Sequence, residues 1–370
     1  MLTRRRVKRK NFKRRARNSL SLYPVKVCPF PKGFQLGCFL QARPQNSDEL
    51  FYPGILIARK FQLHPKLKVT YTVQYDDGVV EENLEESSLI RFPRTFIYVG
   101  ESVIVEDCPI LVNKSIRRVR LLHFKESLGL YQSGLLLTSN SVNQFDFSVL
   151  PFEVNQAMLL GVAIINEYRG VLPHKVCFLG VGGGSLPSCF VNEIIPGADV
   201  HIVDSSIEVL KISSTYFGLP MEKVKIHLCD GIEFLMEECT NFELVVIDVA
   251  DPKDRFLPPY EFLSPTLFEH LFKANPNILV VLNVLPYQEV AADHFENTCN
   301  LFHAVPGAHC YSLYIDPNYL FFVWKFNCPE PFISAKSLVE MVEKCPQMTK
   351  AVPAIRDFVI KNEHAWQLHA

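Results

Sequence analysis

Three aspartates stand at the ends of three short apolar runs. Asp204 follows Ala198–Val203, Asp230 comes just after Lys223–Leu228, and Asp248 follows Leu244–Ile247. A fourth carboxylate, Asp251, lies three residues further on, before Pro252. Such carboxylates can accept hydrogen bonds from a diol or an exocyclic amine, and can orient and deprotonate an attacking amine. Any one of them taken alone reads equally well as a helix N-cap or a turn residue. Upstream, Val176–Leu179 runs into a glycine cluster, Gly180, Gly182, Gly183 and Gly184, and then into Ser185-Leu-Pro. Glycines in such a turn let the chain reverse tightly and expose main-chain atoms that a side chain would cover. Asp204 sits 24 residues after Gly180. That is near the roughly 20-residue spacing at which the second strand of a nucleotide-binding sheet presents its ribose-binding acid.

These residues need a parallel sheet to position them. Val176–Leu179, Ala198–Val203, Lys223–Leu228, Leu244–Ile247 and Ile278–Leu282 read as five buried strands alternating with helices, so their carboxyl ends should share one crevice. Within it, Gly231, next to Asp230, is a further candidate cofactor-binding residue. A helix is expected over Pro265–Phe272, with Ser264 as N-cap and proline at its first position. Another is expected over Glu289–Leu301. His309–Ile315 and Leu320–Lys325, joined by Asp316-Pro-Asn-Tyr, read as an antiparallel hairpin. A hairpin after five βα units is the arrangement of a seven-stranded methyltransferase-type sheet, unlike the six parallel strands of a dehydrogenase. Ahead of the sheet, a helix is expected from about Phe152 to Glu167. Ser337–Glu343 and Ile355–Ile360 read as packing helices.

Charge divides the chain. Its 38 basic and 39 acidic residues nearly cancel, but ten of the basic residues fall between Arg4 and Arg17, where there is no acid. A run of this kind cannot bury itself and reads as disordered. It fits a nuclear localisation signal or a nucleic-acid-binding arm. A mitochondrial presequence and a merely solvated tail are the alternatives. The nucleus is therefore the expected location, with the cytoplasm as alternative. No apolar run approaches the roughly 18 residues that cross a bilayer, so no membrane partner is expected. The eleven cysteines are scattered without CxxC or Cys/His spacing, which reads as reduced thiols and no metal site.

Phe34–Phe92 is rich in short alternating runs: Leu36–Gln41, Gly54–Arg59, Val69–Tyr75 and Val79–Leu84, with Asp76-Asp77-Gly78 as a hairpin turn. With Phe51-Tyr-Pro-Gly54, Tyr75-Asp-Asp-Gly78 and Ser88-Leu-Ile-Arg91, this region resembles the Tudor family, a five-stranded SH3-like barrel. The resemblance implies an aromatic cage for a methylated side chain, with Tyr52 and Tyr75 as walls and Asp77 as the negative charge. It also implies a histone or other methylated-protein partner. Pro44 and Val79 stand where the family often has aromatics, so a structural or other binding role is the alternative.

Residues 95–150 read as a β meander, with strands at Phe96–Val99, Val103–Glu106, Arg117–Phe124 and Gly134–Thr138. Together with the glycine loop and Asp248-Val-Ala-Asp-Pro252, they make residues 98–325 resemble the spermidine-synthase-like superfamily. Gly180-Val-Gly-Gly-Gly-Ser-Leu-Pro187, Gln132-Ser133 and Asp146-Phe-Ser148 are similar to its elongation-factor-1-alpha lysine and N-terminal methyltransferase branch. This implies S-adenosylmethionine (SAM) as cofactor. By the same resemblance Gly180, Gly182 and Gly184 would hold its methionine part, Asp204 its ribose and Asp230 its adenine amino group. Asp248 or Asp251 would orient the acceptor amine and take its proton. A protein substrate with a lysine or N-terminal amine is implied, and a homodimer by analogy. Polyamine aminopropyltransferases are the first alternative. They carry an acid in the glycine loop where this chain has Ser185, and a Tyr-Gln/His-Glu motif on the helix before the sheet that is missing around Leu150-Pro-Phe-Glu153. The second alternative is an inactive transferase-fold scaffold. The expected organisation is a tail (1–32), a Tudor-like barrel (33–93), a meander (95–150), a SAM-binding domain (151–330) and a helical extension (331–370).

Overall fold

The computed structural model describes residues 39–42, 45, 52–62, 68–75, 79–85, 88–91, 95–112, 115–125, 131–138, 144–238, 241–250, 258–285, 298–302, 304–315, 318–326, 335–351 and 366–369. The chain divides into two compact units, residues 1–144 and 145–370. The basic tail lies outside the described residues.

The first unit holds two antiparallel sheets. β1 (Phe39–Ala42), β2 (Tyr52–Gln62), β3 (Lys68–Tyr75), β4 (Val80–Leu84) and β5 (Leu89–Arg91) pair in the order β4-β3-β2-β1-β5. The short β1 lies between β2 and β5, pairing Leu40 with both Gly54 and Arg91. β6 (Thr95–Val99), β7 (Val103–Val112), β8 (Ser115–Phe124) and β9 (Tyr131–Leu137) pair in chain order, as a meander does. Its β7–β8 pairing places Asp107 opposite Arg120. The fully buried guanidinium forks onto both carboxylate oxygens at 2.7 and 3.0 Å. A slip of one residue would strand both charges.

The second unit is built on a mixed sheet. After β10 (Phe145–Asp146), the chain forms two helices in place of the single expected one. These are α1 (Glu153–Met158) and α2 (Leu160–Arg169). Five parallel strands follow: β11 (Lys175–Leu179), β12 (Asp199–Asp204), β13 (Val224–Leu228), β14 (Leu244–Ile247) and β15 (Leu279–Val284). The crossovers include α3 (Ser185–Cys189, continuing as a π turn to Ile194), α4 (Ile207–Phe217), α5 (Gly231–Glu238) and α6 (Pro265–Ala274). β16 (His309–Ile315) and β17 (Asn318–Trp324) form the hairpin, with β17 antiparallel to β15. Most of the helix expected over 289–301 lies outside the described residues, as does 355–360.

The sheet order is β13-β12-β11-β14-β15-β17-β16, and β18 (Trp366–His369) adds an eighth strand against β16. This addition pairs the N–H and C=O groups that β16 would otherwise leave open at the sheet edge. The C-terminal segment thus supplies two helices, α7 (Ala335–Glu343) and α8 (Pro346–Ala351), and then a strand.

The central strands are apolar throughout because both faces are covered. Val176 and Phe178 join one core with α1 to α4, α7 and α8. Cys177 and Leu179 face the other, with α5 and α6. The reversal of strand order between β11 and β14 opens a crevice at their carboxyl ends. Among the described residues, no helix is long and apolar enough to cross a membrane.

Candidate active site

The glycine turn leaves β11 at Gly180, whose N–H donates to Val203 O at 2.9 Å. Gly180 has φ +82°. A β-carbon there would lie 2.2 Å from the backbone oxygen of Asp248, a distance no side chain tolerates. Here glycine is required both by the backbone angle and by the close approach of β14. Gly182 (φ +50°) and Gly184 (φ +74°) are also left-handed. Gly184 serves as N-cap of α3 and donates to Val181 O at 2.7 Å. A β-carbon at Gly231 would press within 3.0 Å of Leu179 and Phe262, which is why α5 can start close against β11.

Asp204 ends β12 and reaches back to the turn. Its Oδ2 accepts the Val181 N–H at 2.9 Å, and its Oδ1 accepts the Ser206 N–H at 2.8 Å. Ser206 in turn caps α4 by accepting from Val209 N–H at 3.3 Å. Burial pushes the Asp204 carboxyl above the ordinary carboxylate range, and the two backbone donors hold it back. Each oxygen keeps acceptor capacity for one more donor.

Asp230 is exposed, and its Oδ1 accepts the N–H groups of both Ile232 and Glu233, at 2.8 and 3.0 Å. It is therefore the N-cap of α5, as the plainer reading of such a residue has it. Between these aspartates lie two apolar side chains that sequence reasoning passed over, Ile207 and Leu228. They are 51% and 52% exposed, at the start of α4 and the end of β13. Large aliphatic groups left open beside polar strand ends offer a flat apolar ligand two faces to lie against.

Asp248 lies on the far side of the turn. Its N–H donates to Leu179 O, and its Oδ1 accepts from Asn283 Nδ2 at 2.7 Å. Asn283 Oδ1 accepts in its turn from Asn318 Nδ2 at 2.9 Å. Burial raises the Asp248 carboxyl above its ordinary range, and the asparagine bond opposes the rise. A carboxylate so placed can hold and deprotonate an amine. The sequence did contain a signal for these partners. Asn283 is the one polar residue in Leu-Val-Val-Leu-Asn-Val, and it is 9% exposed.

The structure thus gathers Gly180, Gly182, Gly184, Asp204, Asp230, Gly231 and Asp248 along the carboxyl edge of β11, β12, β13 and β14. Asp251 lies outside the described residues. In the first unit, Tyr75 is the register partner of Gly54, two residues from Tyr52. The side chains of both tyrosines, and Asp77, lie outside the described residues. Among the described residues, no group of three or more His, Cys, Asp or Glu side chains could hold a metal ion.

No family model matches the chain. An eEF1A lysine and N-terminal methyltransferase of Xenopus laevis is 30% identical over 162 residues, 40% of this chain and 23% of that protein. A spermidine synthase of Schizosaccharomyces pombe is 33% identical over 106 residues, 26% of this chain and 35% of that one. The chain thus spans well under two thirds of either relative. Among solved structures, a probable spermidine synthase from Corynebacterium glutamicum superposes with a TM-score of 0.50 at 16% identity, covering 73% of this chain and 94% of that one. That likeness concerns the fold. It agrees with the mixed α/β sheet, in which seven strands have the Rossmann-like methyltransferase order.

Proposed function

We propose that residues 145–370 bind SAM and transfer its methyl group to an amine of a protein substrate. One observation carries the reading. The glycine turn, Asp204 and Asp248 meet where the strand order reverses: the Asp204 carboxylate accepts the Val181 N–H of the turn at 2.9 Å, and the Asp248 backbone N–H donates to Leu179 O, one residue before the turn, at 2.9 Å. The relatives named as eEF1A methyltransferases support the choice of a protein amine.

The residues fit such a cofactor. The turn presents backbone in place of side chains, Asp204 can accept from two ribose hydroxyls, and the open faces of Ile207 and Leu228 suit an adenine ring. Asp230 Oδ2 suits its amino group. When bound, the cofactor supplies an electrophilic methyl group. The protein's task is then to align an amine and keep it unprotonated, which positioning and a nearby base accomplish. Asp248 does both in this reading. Its Oδ1 is tied to Asn283, and its Oδ2 is directed to the amine. Asp251 is proposed as its helper.

Calorimetric titration of SAM, with Asp204→Ala as control, tests the cofactor. Labelled methyl transfer, with Asp248→Asn, tests the chemistry. Asp248→Asn should lower turnover at least about 100-fold, a typical loss for a general base, with SAM affinity within about threefold. Turnover at the wild-type rate would remove Asp248 from the mechanism.

A second reading is aminopropyl transfer, favoured by the spermidine synthase relative. Against it, α1 reads Glu-Val-Asn-Gln-Ala-Met, without the Tyr-Gln/His-Glu triplet, and Ala157 is wholly buried in the core. Decarboxylated SAM with putrescine would separate the two. We further propose that the N-terminal unit and basic tail recruit a protein partner in the nucleus.

A further inference from the structure

We infer that Asn283 and Asn318 form a polarised amide relay that positions the Asp248 carboxylate for the acceptor amine. The inference rests on the methyl-transfer reading above and concerns residues that reading does not otherwise use.

The relay is built into the sheet. β15 is antiparallel to β17, with Asn283 opposite Leu320. Asn318 stands two residues before Leu320 and so on the same face. Asp248 follows Val246 by two residues, just past the end of β14, and Asn283 follows Val281 by two on β15, so all three polar side chains share one face at the carboxyl edge. That face belongs to the core containing Val246, Val281 and Leu320. A primary amide in such surroundings costs stability unless both its ends are bonded. Both ends of Asn283 are bonded, and the direction is fixed: Asn318 donates to Asn283 Oδ1, and Asn283 donates to Asp248 Oδ1. Turning the Asn283 amide over would set donor against donor at one end and acceptor against acceptor at the other. The acceptor-only carboxylate at one end and the Asn318 donor at the other therefore select the same orientation of Asn283.

This arrangement has two consequences. The bond to Oδ1 fixes the carboxylate plane and leaves Oδ2 for the amine. The donated N–H also stabilises the ionised form where burial favours the neutral one. Burial raises the Asp248 carboxyl and the Asn283 bond opposes the rise, so removing that bond should move its titration upward.

The test uses the full chain with Asn283→Leu and Asn318→Leu. Asn283→Leu should lower turnover at least tenfold with SAM affinity within threefold, and should move the acid limb of the turnover profile to higher pH. Asn318→Leu should move the same limb in the same direction by a smaller amount. A merely structural role would lower thermal stability and leave the limb in place. As an activity-free readout, the Asp248 carboxyl is titrated by carbon-13 NMR of aspartate-labelled protein, assigned with Asp248→Asn. The expected result is a midpoint raised by Asn283→Leu and raised less by Asn318→Leu. An unmoved midpoint in Asn283→Leu would overturn the relay. A midpoint moved there but not in Asn318→Leu would overturn the part given to Asn318. If Asn283→Leu does not fold, the more exposed Asn318→Leu decides. A wild type that transfers no methyl group would overturn the proposed function, while the carboxyl titration would still judge the relay.

Discussion

Gly180→Ala separates the two reasons for glycine at the turn. The position has φ +82°, and an L-residue held in that region loses about 1–2 kcal/mol. The added methyl would also lie 2.2 Å from Asp248 O, 2.9 Å from its carbonyl carbon and 3.2 Å from Val249 Cα. All three are backbone atoms, so no rotamer change relieves the contact. The ends of β11 and β14 must move apart, an overpacking cost of about 1–3 kcal/mol. The total is about 2–5 kcal/mol.

Gly170 provides the control. It ends α2 at φ +68°, and a β-carbon there meets nothing within 4 Å. Gly170→Ala therefore measures the conformational term alone, about 1–2 kcal/mol. Urea unfolding of both variants should place Gly180→Ala about 1–3 kcal/mol below Gly170→Ala, by the overpacking argument. For a unit of this size that is roughly 2–12 °C in Tm, at about 2–4 °C per kcal/mol. Because the end of β11 that must move carries the glycine turn proposed to hold the cofactor, Gly180→Ala should also weaken SAM binding, and Gly170→Ala should not. Equal destabilisation by the two variants would refute the close approach of the strands.

Two further outcomes follow from the same geometry. In Asp204→Asn the amide can offer its oxygen to only one of Val181 N–H and Ser206 N–H, and its NH2 then faces the other. A loss of about 2 kcal/mol in urea unfolding is expected, with SAM affinity reduced at least tenfold by calorimetry, and an unchanged urea midpoint would contradict the bonds at 2.9 and 2.8 Å. His201 and His227 lie in nearly coplanar contact, Nδ1 to Nε2 at 2.9 Å. Burial holds both below the ordinary 6.5, so the unfolded chain takes up protons first as pH falls. Stability should be full above about pH 6.5 and decline below it, and His227→Gln should flatten that decline; an equal slope in variant and wild type would remove the pair as its cause.

Much of the second unit was legible from its strands because their environment is simple. A strand covered on both faces must be apolar along its length, and Val176–Leu179, Leu244–Ile247 and Ile278–Leu282 stand out against polar neighbours for that reason. The hairpin at 309–325 was legible from its two β-rich runs and the Pro-Asn between them. The break in the helix before the sheet was not, since Gly161, beside Met158-Leu-Leu160, fits equally well inside a helix packed closely on a sheet. The eighth strand was hidden because Trp366-Gln-Leu-His369 is too short for periodicity to separate strand from helix. Its partner, the open edge of β16, exists only in the folded sheet. Asn283 was missed for a related reason. A single polar residue in an apolar strand marks a position without naming its partner, which the strand opposite supplies as Asn318.

The three strand-end aspartates were alike in sequence and differ in the fold by what already satisfies them. Asp230 spends one oxygen on two helix N–H groups and stays exposed. Asp204 divides its oxygens between the glycine turn and the start of α4. Its removal therefore disturbs the backbone that would hold a ligand as well as the ligand's own contact. Among the described residues, no helix N–H donates to the Asp248 carboxylate. Its identified donor is a side-chain amide, itself held by another amide. A carboxylate restrained by side chains and shifted upward by burial is better suited to exchange a proton than one fixed by the main chain. The chemical division of labour along the crevice therefore follows from the donors the fold provides. On this argument, transplanting a carboxylate to position 283 would not double the base. It would place two acids within hydrogen-bond distance, where they would share one proton.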